Sequence, residues 1–226
     1  MAEYVRYKFG NGSGSSGTVT FDEGTALDST HVLVAFAYRL QRSDIPAVSG
    51  WTKISENTSG RRMAIFMRRG NGSVNSITVT GSNVTWATTL VAYKSDEGAL
   101  QLGSSHNAAT SSNRTAATSD EIDPGAYGVA VSWLGSTSGN NMGARTWNNG
   151  LAEVMQHSSL YCLAESVRDT PITPSVDWTN NAANVYFGTV FIPLEAPPDP
   201  PPAVDTQIKL NDGLDSPLYV RGLWTP

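Results

Sequence analysis

Short runs rich in β-branched and aromatic residues recur along almost the whole chain, and clusters of Gly, Asn and Ser separate them. Such runs are typical of strands, and the clusters between them predict turns. We therefore expect an all-β, antiparallel fold. The predicted strands are Thr18–Phe21, His31–Arg39, Arg61–Arg69, Ser76–Thr80, Thr85–Tyr93, Tyr127–Leu134, Ser158–Ser166, Ile172–Trp178 and Val185–Leu194. The predicted turns are Gly10–Gly17, Gly70–Gly72, Gly139–Gly143 and Asn148–Gly150.

Charge and cysteine content exclude several classes of protein. The chain has 15 Lys+Arg against 20 Asp+Glu, a formal net charge of −5, whereas nucleic-acid binding needs a basic face that releases counterions. The single cysteine, Cys162, excludes an internal disulfide framework and a multi-cysteine zinc site. The longest unbroken apolar stretch, Val32–Tyr38, is far shorter than the roughly 18 residues that span a bilayer. We expect no nucleic-acid partner and no membrane span.

The two halves of the chain show a faint similarity when the sequence is compared with itself. This internal pseudo-repeat predicts a jelly-roll-like β-sandwich in which each half supplies strands to both sheets. Two tandem sandwiches of about 95 residues each are the alternative. Val32, Val34 and Phe36 align with Val129, Val131 and Trp133 at an offset of 97 residues, Met63 and Ile65 then fall on Leu160 and Cys162, and Thr89–Val91 overlays Thr189–Phe191 at an offset of 100.

A proline-rich segment divides the chain. Residues 195–203 hold five of the twelve prolines, and such a segment adopts polyproline II at about 3.1 Å per residue, which makes a stiff spacer of roughly 28 Å. The sequence therefore predicts a β-sandwich domain over residues 1–194, a polyproline linker over residues 195–203 and a short C-terminal arm over residues 204–226.

The C-terminal arm is expected to form a hairpin around the turn Asn211–Gly213. A segment of about 23 residues cannot bury enough apolar surface to offset its ordering entropy, so we expect the arm to dock on a partner. The docking residues would be Ile208, Leu210, Leu218, Tyr219, Val220, Leu223 and Trp224.

No residue pattern points to catalysis. The three histidines, His31, His106 and His157, are too far apart for local metal spacing, and the chain has no Gly-x-Ser-x-Gly nucleophile elbow. We assign no catalytic residue and no metal ligand. Acidic clusters leave a calcium site open, although none matches an EF-hand loop and turn capping explains most of them. A carboxylate pair for glycoside cleavage is also left open. The clusters are Asp22–Glu23, Asp96–Glu97, Asp120–Asp123 and Asp212 with Asp215.

Two tryptophans are candidates for contact with a glycan. Exposed aromatic rings can serve as platforms for sugars, and Trp51 and Trp147 are expected to be loop aromatics that could grip a glycan. Trp133 alternates in phase with apolar neighbours and is predicted to lie in the core. Cys162 is predicted to be a buried small hydrophobic residue.

Several segments of the chain together form a recurring pattern of a Gly-Trp turn and strands. The segments are Ser49–Ile54, Met63–Arg69, Ser76–Thr80 and Ala87–Tyr93, and in the arm Ile208–Gly213 and Leu218–Val220. The first four resemble a pattern common in minor tail and other structural proteins of tailed bacteriophages, particularly those of actinobacterial hosts. The resemblance covers roughly residues 18–194, and the arm is similar to end segments of such tail proteins.

The resemblance implies a multimeric β-sandwich protein of the virion, with no cofactor and no catalytic residue to carry over. We expect a non-enzymatic minor tail or tail-tip component, made in the host cytoplasm and anchored by its arm to other virion proteins or to copies of itself. The alternative is a carbohydrate-binding module that contacts glycans of the host surface. An enzyme is the third hypothesis.

Overall fold

Every described element of the chain is a β-strand. The computed structural model describes residues 4–21, 27–57, 62–72, 76–94, 114–122, 127–136, 142–157, 161–182, 185–193, 208–210 and 218–220. These residues form strands and no helix, which confirms the all-β prediction. The strands are β1 (Tyr4–Thr20), β2 (His31–Arg39), β3 (Thr52–Glu56), β4 (Arg62–Arg69), β5 (Ser76–Lys94), β6 (Arg114–Thr118), β7 (Gly128–Ser136), β8 (Arg145–Asn148), β9 (Ala152–His157), β10 (Tyr161–Arg168), β11 (Ser175–Ala182), β12 (Val185–Pro193), β13 (Ile208–Leu210) and β14 (Leu218–Val220).

The chain divides into two compact units, Met1–Ala196 and Pro197–Pro226. The described strands of the first unit form three sheets. The N-terminal sheet has the order β1-β5-β2-β4-β3, the C-terminal sheet has the order β12-β7-β10-β9, and a smaller cover sheet has the order β6-β11-β8. All paired neighbours run antiparallel, as the sequence predicted.

Each half of the chain builds its own sheets. Residues 4–94 form the N-terminal sheet, and residues 114–193 form the other two. The expectation that each half supplies strands to both sheets of one sandwich is therefore wrong, because strands close in sequence tend to find neighbours within the same half. The order β5-β2-β4-β3 is also not the Greek-key order, in which three consecutive strands lie side by side, so jelly-roll connectivity is not confirmed.

Packing between the N-terminal and C-terminal sheets forms an apolar cluster that we call the common core. Trp133 lies in it, fully buried as predicted, with its ring centroid 6.3 Å from that of Phe36. The Trp133 Nε1 donates a hydrogen bond to Thr89 Oγ1 across the two sheets, at 2.8 Å. Other apolar clusters cover the opposite face of each sheet. Because both faces are covered, all nine residues of β2, β7 and β12 are buried.

Strand β1 passes through Gly10–Gly17, which the sequence predicted to be a turn. The neighbouring strand β5 carries Trp86, and its indole ring lies over Gly10, Gly12 and Gly17. A Cβ atom at Gly17 would overlap the ring, and one at Gly12 would lie 3.2 Å from Nε1. The turn prediction is therefore wrong, because glycine in a strand also marks the close approach of another group.

Strands β1 and β5 bend together, at the point where their pairing register shifts. On one side of the bend, residues 4–14 pair with residues 84–93 within the N-terminal sheet. On the other side, residues 16–20 pair with residues 76–80, and their apolar side chains cover the outer face of that sheet. One pair of long strands thus contributes to two layers.

Arg39, the last residue of β2, holds this bend. Its side chain is fully buried and donates hydrogen bonds to the backbone carbonyls of Gly14 at 2.8 Å, Val79 at 3.1 Å and Ser82 at 2.6 Å. The Gln41 side chain accepts a bond from the backbone N–H of Ser82 at 2.8 Å. Burial lowers the pKa of Arg39 from its ordinary value.

Four strands of the N-terminal sheet and the four strands of the C-terminal sheet are arranged in the same way. In each set the last strand along the chain lies beside the first, followed by the third and then the second: β5-β2-β4-β3 and β12-β7-β10-β9. In the common core Phe36 pairs with Ile65 and Trp133 pairs with Leu163. Ile65 therefore corresponds to Leu163 and not to Cys162, which packs on the opposite face. A slip of one residue moves a whole strand to its other face. The pseudo-repeat itself stays a prediction, because equal topology can arise without duplication.

In the second unit the described residues are two short strands. β13 and β14 pair in an antiparallel manner, with Ile208 opposite Val220 and Leu210 opposite Leu218. A sheet needs three or more strands to be stable on its own, and this one has two strands of three residues each.

Candidate functional site

The two described histidines, His31 and His157, have separate surroundings. His31 lies at the start of β2, and its Nδ1 is 2.9 Å from Asp28 Oδ1. Hydrogen bonds from Thr30 and His31 lower the pKa of Asp28 to about 2. The ring of His157 stacks on Phe9, with the centroids 3.9 Å apart. His106 lies outside the described residues.

No group of three or more His, Cys, Asp and Glu residues could hold a metal ion among the residues that the structure describes. Of the acidic clusters considered for calcium, only Asp120 and Glu121 lie in the described part of the chain. The remaining members lie outside it, namely Asp22, Glu23, Asp96, Glu97, Asp123, Asp212 and Asp215.

Trp51 lies at the edge of the outer cluster of the N-terminal sheet and is only 8% exposed. The guanidinium of Arg68 covers its ring at 5.7 Å from the centroid, a cation–π contact. The ring face is therefore occupied by an arginine instead of being open to a sugar. A surface cavity of about 430 Å³, which we call the tryptophan cavity, lies beside this pair. Its lining residues are Ala47, Val48, Ser49, Trp51, Arg68, Ser76, Thr78 and Thr80.

Hydroxyl groups continue from the tryptophan cavity across β5 to β1. In the paired register Ser16 faces Thr80 and Thr18 faces Thr78. The two hydroxyls of the second pair lie 2.8 Å apart and form a hydrogen bond. This row of hydroxyls was not among the sequence predictions. Its signal is the Thr-Val-Thr triplet at residues 18–20 and 78–80, because residues i and i+2 of a strand share a face.

Trp147 lies in the cover sheet, away from the cluster that contains Trp51. It is partly buried, with its ring centroid 6.2 Å from that of Phe187. Its Nε1 donates to Glu153 Oε2 at 2.8 Å. Arg145 donates to both oxygens of the same carboxylate, at 3.0 and 3.1 Å. The structure therefore does not bring the two candidate glycan-contact residues, Trp51 and Trp147, into one cluster.

The ion pair of Arg145 and Glu153 connects β8 of the cover sheet to β9 of the C-terminal sheet. Burial favours the neutral carboxyl, but the hydrogen bonds from Arg145 and Trp147 outweigh it, so the pKa of Glu153 lies below its ordinary value. Cys162 lies beside this pair and is buried, as the sequence predicted. Burial raises the pKa of its thiol well above the ordinary value, which makes it a poor nucleophile.

A second surface cavity, of about 420 Å³, lies at the end of β10, and we call it the arginine cavity. No motif in the sequence indicated it, because its lining comes from four separate stretches of chain. The lining residues are Glu121, Asn149, Gly150, Arg168, Pro171, Ile172 and Thr173.

The predicted docking residues of the arm are only partly covered by the structure. The backbone of Ile208, Leu210, Leu218, Tyr219 and Val220 lies in β13 and β14. Leu223 and Trp224 lie outside the described residues.

Comparison with known proteins identifies no relative. No family model, no curated protein and no solved structure matches this chain. Among the described residues, no helix is both long and apolar enough to cross a bilayer.

Proposed function

We propose that this chain is a non-enzymatic structural protein of a phage particle, a minor tail or tail-tip component that displays a β-sandwich body and attaches through its C-terminal arm. The observation that carries the proposal is the separate second unit, Pro197–Pro226, whose described residues contain only one pair of three-residue strands. A two-stranded pair of this size is marginal alone in water, so a partner surface would stabilise it.

The composition of the arm supports attachment by apolar contact. The seven predicted docking residues lie within its 23 residues, and burial of one such side chain contributes roughly 1.5–3 kcal/mol before the ordering cost. An arm of this kind binds by adding strands to a sheet edge or by intertwining with copies of itself.

Deletion of residues 204–226 tests the proposal. We expect the truncated protein to keep the unfolding transition of the body and to be missing from assembled particles. Light scattering after size exclusion should show a smaller mass for the truncated chain than for the full chain if copies of the arm associate. Incorporation of the truncated chain at the level of the full chain would overturn the anchoring role.

A variant of full length separates the apolar contacts from chain length. Replacing Ile208, Leu210, Leu218 and Val220 with Ser should reproduce the deletion. Replacing Asp212 and Asp215 with Asn is the matched control, because it changes the arm but keeps its apolar residues, and it should assemble normally.

Contact with a host glycan is the second candidate function, and the tryptophan cavity favours it. Trp51, Arg68, Thr78 and Thr80 line one open cavity. This combination of apolar surface and polar groups suits a sugar. We expect the full chain to give signal on a glycan array, and Arg68→Gln with Thr78→Val to abolish it while the unfolding midpoint stays constant. Unchanged signal would refute this site.

A further inference from the structure

The arginine cavity contains a cation that the described part of the protein does not use. Arg168 is the last residue of β10, and its guanidinium is half-buried in the wall of the cavity. Its Nε atom is buried without a hydrogen-bond partner among the described residues. A buried donor without a partner costs free energy, and because Nε itself is closed to a ligand, the terminal Nη atoms are the groups that a ligand in the cavity would contact.

Other buried or partly buried arginines of the described chain have partners. Arg39 donates to three backbone carbonyls, Arg145 holds Glu153 with two bonds, and Arg62 lies 3.0 Å from Asp44. Arg168 has no comparable carboxylate or carbonyl among the residues that the structure describes. Its two terminal Nη atoms therefore remain available for two parallel hydrogen bonds to an oxyanion.

Asn149 and Glu121 bring side-chain acceptors to the lining of the same cavity. Asn149 takes a left-handed conformation, with φ of 60°, in the turn after β8. Its Nδ2 donates to the Thr173 carbonyl at 2.6 Å, which orients the amide. Glu121 also lines the cavity and forms no ion pair with Arg168 within the described residues. The cavity thus presents one cation and one carboxylate that face a common space.

We propose that the arginine cavity binds an oxyanion-bearing polyol, such as a uronic acid or a polyol phosphate. The oxyanion would accept two hydrogen bonds from Arg168, and the hydroxyl groups would donate to Glu121 and to the Asn149 side chain. A bare anion fits less well, because the Glu121 carboxylate repels it. The volume of about 420 Å³ lies within the range of small-ligand sites and accommodates a single sugar unit.

The proposed ligand site in the arginine cavity is independent of attachment through the arm. It concerns only residues of the first unit, so loss of particle assembly on deletion of the arm would leave it unaffected. It also differs from the second candidate function, because the tryptophan cavity and the arginine cavity share no lining residue.

Titration of the full-length protein tests the proposal, with chemical-shift changes or calorimetry as the readout. The probes are glucuronate, glycerol 3-phosphate, neutral glucose, and acetate and inorganic phosphate as bare anions. We expect glucuronate or glycerol 3-phosphate to bind in the millimolar range, and the preferred one of the two identifies the anionic group. Glucose and the bare anions should bind at least ten-fold more weakly. Equal binding of the bare anions, or no binding of either polyol, would overturn the proposal.

Three variants locate the binding. Arg168→Gln should weaken the preferred polyol at least ten-fold, and Arg168→Lys should give an intermediate loss because it keeps the charge but not the planar fork. Glu121→Gln should weaken the polyol while strengthening acetate, because the repulsion is removed. Arg42→Gln, on an exposed residue far along the chain, is the matched control and should change nothing. Polyol affinity that survives Arg168→Gln would show that the site is elsewhere.

Discussion

The two halves of the first unit reach a similar layered arrangement by different means. In the N-terminal half the long strands β1 and β5 bend, so that one part lies in the sheet and the other part covers it. In the C-terminal half these tasks belong to separate strands, β11 in the cover sheet and β12 in the C-terminal sheet. A continuous strand needs its bend held in place, and the buried Arg39 does this. The last residue of β7 is instead Ser136, a small buried side chain.

The largest effect should follow from Arg39→Met, which keeps much of the apolar stem and removes the guanidinium. The carbonyls of Gly14, Val79 and Ser82 would then lose their donor inside the protein. We expect the free energy of unfolding, measured with urea, to fall by about 3–5 kcal/mol. Arg42→Met, on an exposed side chain, is the control and should change it by no more than about 0.5 kcal/mol. A loss below about 1 kcal/mol would mean that the strands hold the bend without Arg39.

The common core offers a second difference between the halves. Trp133 donates to Thr89 across the sheets, whereas the corresponding positions in the register hold Phe36 and Gly188, which cannot form that bond. Trp133→Phe should lower the free energy of unfolding by about 2 kcal/mol, since it loses both volume and the bond.

A double-mutant cycle separates the two losses. Thr89→Val removes the acceptor with little change in volume, and together with Trp133→Phe it should cost about 1 kcal/mol less than the sum of the single changes. Additive changes would show that the bond contributes no net stability and that volume alone explains the effect of Trp133→Phe.

The sequence predicted strands best where both faces are buried. β2 and β12 are nearly as predicted, because runs of apolar and β-branched residues carry the signal. β1 was mostly missed, since its glycines are explained only by Trp86, a residue about 70 positions away. β5 was split into two predicted strands because the polar residues around its bend resemble a turn.

The candidate sites could be predicted less well. The low exposure of Trp51 depends on Arg68, and the partners of Trp147 lie in other strands. Nothing in the sequence indicated the arginine cavity, because a single arginine at the end of a strand is common and does not mark a binding site. What distinguishes Arg168 is that no described group pairs with it, and pairing is a property of the folded chain.

Acid should lower the stability of the protein through a carboxylate in each half, Asp28 in the N-terminal half and Glu153 in the C-terminal half. The pKa values of Asp28 and Glu153 are lowered in the folded protein, so each carboxylate stabilises the fold above its ordinary pKa of about 4 and stops doing so as the pH falls through the folded value. For Asp28 that loss extends to about pH 2. Urea unfolding at pH 7, 5, 4, 3 and 2 should show stability falling with acid.

Single variants assign the acid effect to each half. Glu153→Gln should cost about 1–3 kcal/mol at pH 7, because the bonds from Arg145 and Trp147 lose their charge, and it should flatten the decline below pH 5. Asp28→Asn should flatten mainly the part below pH 4. An unchanged slope in Glu153→Gln would show that the ion pair between the cover sheet and the C-terminal sheet does not contribute to acid sensitivity.

The smallest effect should come from Arg168→Ala. By register, Arg168 corresponds to Gly70 of the N-terminal half, where a Cβ atom would overlap the backbone carbonyls of Leu27 and Asp28. The C-terminal half has an open cavity at this place instead of a packed backbone. Because no described residue pairs with Arg168, its replacement should change the free energy of unfolding by no more than about 0.5 kcal/mol, whereas Arg145→Ala should cost more by leaving Glu153 without its cation. A large loss of unfolding free energy for Arg168→Ala would mean that the guanidinium supports the fold. Arg168 would then have a structural role in the C-terminal half.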